Sequence, residues 1–256
     1  MNIAIIGYGK MGKMIEQIAI SQGHTIAAAA DPFVKKTQSG INVHKSIEQA
    51  DFSSVDAAIE FSIPQTAADN IIALTKKKIP VICGTTGWYD RLDEVKREVE
   101  KAGSSFLWAS NFSIGVNLFY RIAWYGAELI NNFGEYDIGG LEVHHNKKLD
   151  SPSGTAKTLA EGALSRIDRK KKIIWDTMKG KPNEDELHFP SLRIGSVPGK
   201  HSLFFDSPAD TIEVSHTARS REGFAAGAVL AAKWLSEKKR SGVFTIDDML
   251  KEITGI

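Results

Sequence analysis

A glycine-rich turn lies between the first apolar run of the chain and the first segment with helical spacing. The run is Asn2–Gly7, the helical spacing covers Met11–Ile20, and the turn reads Gly7-Tyr8-Gly9-Lys10-Met11-Gly12. These positions fit G-x-G-x-x-G, in which glycines permit a tight turn, the close approach of a pyrophosphate and close packing of helix on strand. A strand, a turn and a helix in this order predict the start of a doubly wound α/β domain that binds a dinucleotide.

An acidic residue supports that prediction at the distance that the fingerprint requires. A second predicted strand, Thr25–Ala30, ends at Asp31, about 20 residues after the glycine turn, where an acid can accept hydrogen bonds from ribose hydroxyls. Alone, Asp31 is more typical of a turn residue before Pro32, and a lone glycine turn can be purely structural. The two linked matches together favour dinucleotide binding.

Predicted strands and helices continue to alternate as far as Ser113. Strands are predicted over residues 55–62, 79–83 and 105–109, and helices begin at Pro64 and Trp88. Such alternation implies a parallel sheet whose polar turns gather at the carboxyl ends of the strands. Gly84-Thr85-Thr86-Gly87 and Ser110–Ser113 are two such turns, and we expect them to converge with the first glycine turn on one crevice. Residue types chosen only for turn geometry would give the same pattern, so that alternative stays open at this point.

The pattern changes after Ser113. A long helix is predicted over residues 114–130, a strand over 136–143, a helix from Thr155, and short alternating runs at 191–194, 201–205 and 211–215. These elements indicate an α+β domain with a mixed or antiparallel sheet. A further helix is predicted over 222–235, and a short helix is expected from Val243. The charged runs 169–172 and 184–186 are interpreted as solvated faces of loops.

Composition and charge limit the functions that the chain can have. Its 256 residues carry a formal net charge of +1, which gives no general field for nucleic acid or an anionic membrane, so any recognition of anions must be local. The single cysteine, Cys83, excludes an internal disulfide and a multi-cysteine zinc site and favours a reducing compartment. Met1 leads straight into a strand without a leader pattern, and no apolar stretch is long enough to span a bilayer. We expect a cytoplasmic protein with no metal and with neither nucleic acid nor a membrane as a partner.

Chemistry-bearing residues are concentrated between the predicted strand 136–143 and the helix that follows it. Residues 142–156 contain His144, His145, two lysines and the turn Ser153-Gly154-Thr155. At a helix N-terminus that turn presents hydroxyls and unpaired backbone N–H groups, which form an anion site. A histidine adds a titratable proton source and a lysine adds a fixed positive charge, so the loop suits an acidic small molecule that must be held and protonated. A polar loop in which Ser153 only caps the helix is the competing interpretation.

One string in this loop resembles the signature of a known enzyme family. His144-His145-x-x-Lys148-x-Asp150-x-Pro152-Ser153-Gly154-Thr155-Ala156 is similar to the motif of the 4-hydroxy-tetrahydrodipicolinate reductases, also called dihydrodipicolinate reductases, of the diaminopimelate and lysine pathway. The resemblance extends over nearly the whole chain, from the glycine turn through Arg219–Ala228. The first turn departs from it, because the family usually has one more residue between its first glycine and Met11-Gly12.

The resemblance implies a fold, a reaction and a set of site residues. The fold would be a Rossmann-type doubly wound parallel sheet formed by residues 1–112 and 222–256, with a smaller α+β domain for substrate binding and oligomerisation formed by 113–221. The reaction would transfer a hydride from a reduced nicotinamide to C4 of the cyclic dicarboxylate substrate, after loss of its hydroxyl, giving tetrahydrodipicolinate. His144 and Lys148 would be the catalytic acid–base groups. The residues implied to bind substrate are His145, Ser153, Gly154 and Thr155, and those implied to bind cofactor are Gly7, Tyr8, Gly9, Lys10, Met11, Gly12, Asp31, Gly84, Thr85, Thr86, Ala109, Ser110, Asn111 and Phe112.

We expect NADH to be used at least as well as NADPH. Asp31 can accept from ribose hydroxyls but repels a 2′-phosphate, and the next position, often Arg in family members that take both cofactors, is Pro32. Lys35 or Lys36 could partly compensate. The family also implies a homotetramer, because the strands of the second domain need their edges covered.

Two alternatives remain open at the level of the sequence. A different hydride-transfer enzyme on the same two-domain plan, such as a sugar or amino-acid dehydrogenase, would share the fold. A non-catalytic dinucleotide sensor would keep Gly7, Gly9 and Asp31 but would have no need of His144 and Lys148 together.

Overall fold

The computed structural model describes residues 1–238 and 240–255, and the chain divides into two compact units. One unit is formed by Met1–Ser113 together with Arg221–Ile256, and the other by Ile114–Ser220. Each unit has its own sheet and its own buried apolar core. None of the described helices is both long and apolar enough to cross a bilayer.

Within the described residues, the first unit contains one parallel sheet of six strands. The strands are β1 (Asn2–Ile6), β2 (Thr25–Ala30), β3 (Ala57–Glu60), β4 (Val81–Cys83), β5 (Ser105–Trp108) and, after six strands of the other unit, β12 (Gly242–Thr245). Their order is β2-β1-β3-β4-β5-β12, so the chain changes direction across the sheet between β1 and β3. Ligands of such sheets bind outside the carboxyl ends of the strands at this switch point. The architecture is the predicted Rossmann-type α/β fold.

Among the described residues, five α-helices belong to the first unit. They are α1 (Lys10–Ser21), α2 (Pro64–Lys76), α3 (Leu92–Ala102), α6 (Glu222–Glu237) and α7 (Ile246–Thr254). Helix α3 buries Val95 and Val99, one turn apart, while most of its other residues are charged. It begins later than predicted, because Trp88 is buried and its indole N–H donates to the carbonyl of Thr85 at 2.8 Å. Helix α6 packs on α1 and on β3, so residues after 221 complete the core of the first unit.

The strand β12 corrects the expectation of a helix from Val243. Residues Gly242–Thr245 pair in parallel with β5, and helix α7 begins only at Ile246. Valine and phenylalanine favour a strand, but so short a run does not reveal its period in the sequence. Thr245 marks the boundary, because it forms a capping box with Asp248 in which each side chain accepts the other residue's backbone N–H;.

Within the described residues, the second unit contains a mixed sheet with two helices. The strands are β6 (Asp137–His144), β7 (Lys172–Ile174), β8 (Glu186–His188), β9 (Ser191–Arg193), β10 (Lys200–Asp206) and β11 (Thr211–Thr217), and the helices are α4 (Ile114–Ile130) and α5 (Gly154–Leu164). The strand order is β11-β10-β6-β8-β7, with β9 also beside β6. Strand β10 is antiparallel to β6 and β11, whereas β8 and β9 run parallel to β6. Phe189, Leu203 and Phe205 form a core with buried residues of both helices. The predicted α+β character is therefore present, with a mixed sheet.

Lys170 and Glu186 are not the solvated loop residues that the sequence predicted for the charged runs 169–172 and 184–186, whereas Lys171, Lys172 and Glu184 are exposed as predicted. Lys170 is only 5% exposed. Its ammonium lies 2.6 Å from Asp137 Oδ1 and donates to the carbonyl of Glu186 at 2.8 Å. Lys172 and Glu186 lie on the neighbouring strands β7 and β8 and form an ion pair of 3.0 Å. An ammonium can be buried once a carboxylate and a carbonyl satisfy it, and both partners come from distant strands.

Candidate active site

The glycine turn of the first unit leads from β1 into α1. Gly7 adopts φ +84°, and a Cβ there would fall 2.3 Å from the carbonyl oxygen of Phe61, just after β3. A Cβ on Gly12 would fall 2.4 Å from the carbonyl oxygen of Gly7, whereas one on Gly9 would meet nothing within 4 Å. Gly7 and Gly12 are therefore required by the turn and its packing, and Gly9 leaves an open approach to the backbone. Pyrophosphate binding needs this division of roles.

The first turn of α1 offers backbone N–H groups to an anion. Gly9 occupies the N-cap position without a side-chain cap, and no acidic residue lies in the first turn, which Lys10, Met11 and Gly12 form. Unpaired N–H groups and the helix dipole favour negative charge there. The glycine turn therefore fits the pyrophosphate of a dinucleotide.

Asp31 fastens the end of β2 to the glycine turn. Its Oδ2 accepts the backbone N–H of Tyr8 at 2.7 Å, and its Oδ1 accepts that of Phe33 at 2.8 Å. These two bonds orient the carboxylate, and each oxygen keeps a lone pair for a ribose hydroxyl. Asp31 can thus act both as a turn residue and as a ribose ligand.

The side chain of Tyr8 is buried beneath this turn. It is 1% exposed, and its hydroxyl contacts the Glu16 carboxylate and accepts the backbone N–H of Gln38 at 2.7 Å. Burial, together with the hydrogen bond to Glu16, raises the pKa of Tyr8 to about 12. Tyr8 can therefore contact a ligand only through its backbone.

The turns that follow β3, β4 and β5 lie against one another. A Cβ on Gly84 would fall 2.0 Å from the ring of Phe61. The Thr85 hydroxyl accepts the backbone N–H of Ser62 at 2.9 Å, and the rings of Phe61 and Phe112 are 6.1 Å apart. The structure thus brings Gly84–Thr86 and Ala109–Phe112 together at the carboxyl edge of the sheet, next to the end of β3.

In the second unit, strand β6 carries Glu142 and His144 on one face, because alternate residues of a strand project to the same side. Glu142 is fully buried. Its Oε1 accepts from the backbone N–H of Ser153 at 3.0 Å, the hydroxyl of Ser191 at 2.6 Å and Nη2 of Arg193 at 2.8 Å. The loop before α5 and the strand β9 are therefore both attached to one oxygen of this carboxylate.

The other oxygen of Glu142 faces two imidazoles. Oε2 lies 3.0 Å from His144 Nδ1 and 3.7 Å from His201 Nε2, and the two rings meet edge to face with centroids 5.1 Å apart. Burial acts to raise the pKa of Glu142, but the two nearby imidazoles and the hydrogen bonds from Ser153 and Ser191 outweigh it and hold the pKa well below its ordinary value. Burial lowers the pKa of His201. At neutral pH Glu142 is therefore ionised and the neighbouring His201 is uncharged.

Lys148 lies in the loop after β6. Its ammonium forms an ion pair of 2.7 Å with Asp150 Oδ1, and its backbone N–H donates to the carbonyl of His145 at 3.1 Å. Burial acts to raise the pKa of Asp150, but the hydrogen bond from Lys148 outweighs it and the net shift is downward. The Lys148 side chain keeps 22% of its surface exposed, so a carboxylate positions the ammonium without enclosing it.

The turn that the sequence predicts to bind an anion lies at the start of α5. The Ser153 hydroxyl caps the helix by accepting the backbone N–H of Ala156 at 3.1 Å and lies 3.2 Å from His201 Nε2. Ser153 is only 2% exposed, whereas Gly154 is exposed and Thr155 is half-buried. Ser153 therefore holds the turn from inside, and Gly154 and Thr155 are the residues that can meet a ligand.

Sequence reasoning missed four polar residues of this cluster: Glu142, Ser191, Arg193 and His201. Glu142 could have been found, because it lies two residues before His144 on a predicted strand and so shares its face. The others reach the cluster only through the pairing of β6 with β9 and β10, which places Ser191 and His201 opposite Glu142 and Arg193 opposite His144.

Three atoms of this cluster have the spacing of metal ligands. Glu142 Oε2, His144 Nδ1 and His201 Nε2 lie within 4.8 Å of one another. The Arg193 guanidinium already neutralises the carboxylate at 2.8 Å, and His201 Nε2 is 3.2 Å from the Ser153 hydroxyl. A cation would have to compete with both contacts, so the arrangement is better suited to holding a proton.

Comparison with known proteins matches both parts of the chain to one family. Residues 1–112 match the family model described as dihydrodipicolinate reductase, N-terminus, and residues 115–250 match the one described as dihydrodipicolinate reductase, C-terminus. The 4-hydroxy-tetrahydrodipicolinate reductase of Christiangramia forsetii is 41% identical over 253 residues, covering 99% of each chain. That of Archaeoglobus fulgidus is 34% identical over 266 residues, covering 98% of this chain and 100% of its own.

A solved structure shares the fold. A dipicolinate-bound dihydrodipicolinate reductase from a Paenisporosarcina species superposes with a TM-score of 0.77, covering 97% of this chain and 98% of its own, at 19% identity. The parallel sheet and the second, mixed sheet therefore belong to a known fold.

Proposed function

The chain belongs to the dihydrodipicolinate reductase family, and we propose that His144 and Lys148 carry the proton chemistry of its reaction. The protein is an NAD(P)H-dependent oxidoreductase that reduces 4-hydroxy-tetrahydrodipicolinate to tetrahydrodipicolinate in diaminopimelate and lysine biosynthesis. The reaction consumes a hydride and a proton and releases the C4 hydroxyl as water. The protein must therefore hold a dicarboxylate, orient it and supply the proton.

Residues of the first unit hold the dinucleotide in this proposal. The backbone at Gly9 and the N–H groups of the first turn of α1 bind the pyrophosphate, and Asp31 accepts from the ribose hydroxyls. The turns Gly84–Thr86 and Ala109–Phe112 line the nicotinamide half. When bound, the reduced nicotinamide supplies the hydride. The open approach at Gly9 and the lack of an acidic side chain in the first turn support this assignment.

Residues of the second unit hold and protonate the substrate. Backbone N–H groups at Gly154 and Thr155, together with His145, bind the substrate carboxylates. Departure of the C4 hydroxyl requires a proton, and hydride addition leaves electron density toward the ring nitrogen. His144 and Lys148 supply the proton and stabilise that charge where it develops.

One observation carries this assignment: His144 lies 3.0 Å from the fully buried carboxylate of Glu142. A histidine that is only a solvated loop residue has no need of a buried carboxylate, whereas one that carries a proton during turnover is stabilised by it. The test is oxidation of NADH or NADPH in the presence of enzymatically generated substrate. Turnover with a sugar or an amino acid, and none with this dicarboxylate, would favour a different hydride-transfer enzyme.

We also propose a cofactor preference, an assembly and a location. NADH serves at least as well as NADPH, because the Asp31 carboxylate repels a 2′-phosphate. Four copies assemble in the cytoplasm through the sheet of the second unit, whose edge strand β11 leaves Ile212 46% exposed;. A monomeric mass by light scattering at micromolar concentration would contradict the homotetramer.

A further inference from the structure

The two oxygens of Glu142 have different surroundings. Oε1 accepts three hydrogen bonds, from Ser153, Ser191 and Arg193. Among the described residues Oε2 has no hydrogen-bond partner of good angle, although it lies 3.0 Å from His144 Nδ1. Three donors on one oxygen fix the plane of the carboxylate. Oε2 is therefore held toward His144 and retains its capacity to accept a proton-bearing nitrogen.

The other ring nitrogen of His144 lies beside a glycine. Gly199 adopts φ +152°, and a Cβ there would fall 3.0 Å from His144 Nε2 and 3.3 Å from Cδ2. Any side chain at this position would press on the ring edge that carries Nε2. Glycine therefore leaves Nε2 free of a side chain on this side, while Nδ1 faces the carboxylate.

The charged and titratable neighbours of His144 come from four elements. They are Glu142 on β6, Arg193 opposite His144 on β9, His201 on β10 and Lys148 in the following loop. Arg193 and Lys148 are each paired with a carboxylate, at 2.8 and 2.7 Å. His201 is uncharged at neutral pH because burial lowers its pKa. Of the two imidazoles that face Oε2, His144 is the nearer, at 3.0 Å against 3.7 Å for His201.

We propose that Glu142 is the positioning residue of this active site. It keeps the proton of neutral His144 on Nδ1, so that Nε2 is the atom that exchanges a proton with the substrate, and it stabilises the imidazolium form. The carboxylate stays ionised throughout, and the proton that leaves Nε2–H goes to the substrate and is replaced from solvent. This inference rests on the proposed function, because it assumes that His144 is an acid–base group. A buried carboxylate that orients a histidine and stabilises its charged form is a known device of acid–base catalysis.

Replacement of the charge at constant size tests the inference. Glu142→Gln should lower kcat by about 10², leave the KM for NADH within about twofold, and move the alkaline limb of the pH–rate profile to lower pH, because the proton-donating imidazolium loses its counter-charge. Glu142→Asp, which keeps the charge, should recover at least about tenfold of the lost turnover. The control is Glu213→Gln on β11, which removes a carboxylate of the same unit that bonds the Ser202 hydroxyl at 3.0 Å. Glu213→Gln should leave kcat and the alkaline limb of the pH–rate profile as in wild type.

A double-mutant cycle separates this inference from the proposed function. In a His144→Ala background, Glu142→Gln should lower kcat by less than about threefold, because residues that act as a unit are not additive. Unchanged turnover in His144→Ala alone would overturn the proposed function. If His144→Ala is impaired, two results would overturn only the positioning role. One is a Glu142→Gln variant whose alkaline limb of the pH–rate profile does not move. The other is a Glu142→Gln effect on kcat that multiplies with that of His144→Ala.

A measurement on the wild-type protein covers the case in which Glu142→Gln does not fold. Nitrogen-15 chemical shifts of the His144 ring distinguish its two neutral tautomers. We expect the neutral ring to carry its proton on Nδ1. A neutral ring protonated on Nε2 would overturn the inference.

Discussion

Glu16 in the first unit and Glu142 in the second are both almost fully buried, at 1% and 0% exposure, but their partners differ. Glu16 accepts from neutral groups, namely the Tyr8 hydroxyl and the backbone N–H and hydroxyl of Ser39, the latter two at 3.2 and 2.6 Å. Glu142 faces the Arg193 guanidinium and two imidazoles. A carboxylate among neutral donors can fasten a loop, whereas one that faces an imidazole can also respond to a change of charge.

The difference extends to the sites that these carboxylates support. Glu16 and Tyr8 hold the segment around Gln38 beneath the glycine turn, where the binding features are backbone N–H groups and the space left by Gly9. Glu142 supports a loop whose important groups are an imidazole and an ammonium. The first site is therefore defined by the shape of its backbone and the second by its charged side chains. Substitutions in the two sites should accordingly have different effects on binding and turnover.

The largest expected effect is on turnover in the second unit. His144→Ala or Lys148→Ala should lower kcat by about 10² to 10⁴, because each removes a proton donor or a stabilising charge. Dinucleotide affinity, measured by fluorescence titration, should remain near wild type, and the double variant should be less impaired than the product of the singles. His145→Ala should act mainly on the KM for substrate. Wild-type turnover in both His144→Ala and Lys148→Ala would remove the contrast between the two sites.

Alanine substitutions in the glycine turn should distinguish a glycine that packing requires, Gly12, from one that ligand binding requires, Gly9. Gly12→Ala places a Cβ 2.4 Å from a backbone oxygen and should lower the free energy of unfolding by about 1–3 kcal/mol. Gly9→Ala meets no atom within 4 Å, so its stability should stay within about 0.5 kcal/mol of wild type. Its dinucleotide affinity should fall about tenfold, or roughly 1.4 kcal/mol. Chemical denaturation measures the free energy of unfolding of both variants, and a binding titration measures their dinucleotide affinity. A stable Gly9→Ala protein with wild-type affinity would show that no phosphate of the dinucleotide lies beside Gly9.

Glu16 and Glu142 should both make the free energy of unfolding depend on pH in the acidic range, but only Glu142 should affect catalysis. The pKa of Glu16 is lowered by hydrogen bonds from Ser39 and Tyr8, which outweigh burial, and that of Glu142 is lowered as described above. A carboxylate with a depressed folded-state pKa stabilises the fold above its unfolded value, near 4.5, and loses that contribution as pH falls below it. Glu16→Gln and Glu142→Gln should each reduce the slope of unfolding free energy against pH below 4.5, by up to about 1.4 kcal/mol per pH unit.

Urea denaturation at several pH values gives these slopes, and pH–rate profiles of the same variants complete the comparison. Glu16→Gln should leave the alkaline limb of the pH–rate profile in place, whereas Glu142→Gln should shift it to lower pH. A shift in both variants would mean that the two carboxylates do not differ in kind.

The smallest effect concerns the choice of cofactor. The specificity constant for NADH should equal or exceed that for NADPH, and Asp31→Ala should narrow the difference because it removes the charge that repels a 2′-phosphate. Steady-state kinetics with each cofactor measures this. A preference for NADPH above about tenfold, or roughly 1.4 kcal/mol, would contradict it.

Local patterns made the two sites predictable in part. The glycine turn and Asp31 are separated by one helix and one strand, and the His144 loop is continuous in sequence, so spacing alone indicated both. The contacts of Arg193 and His201 with Glu142 depend on strand pairing over about fifty residues or more, and no local period records such pairing. Lys170 was misassigned for the same reason, since its partners lie on β6 and β8 and its charge by itself suggests solvent.

The position of β12 affects how a growing chain can reach this fold. Strand β12 covers the edge of β5, and next to it the Ser241 hydroxyl donates to the carbonyl of Ser104 across 137 residues of sequence. While a ribosome is still adding those residues, β5 is the open edge of the other five strands, and open edges pair with strands of other chains. The second unit consists of contiguous residues and can fold during this interval. Its folding shortens the flexible part of the chain between β5 and β12, so the entropy cost of bringing these two strands together falls. A substitution that slows folding of the second unit would therefore reduce the yield of enzyme from translation, even where it leaves the finished protein as stable as before.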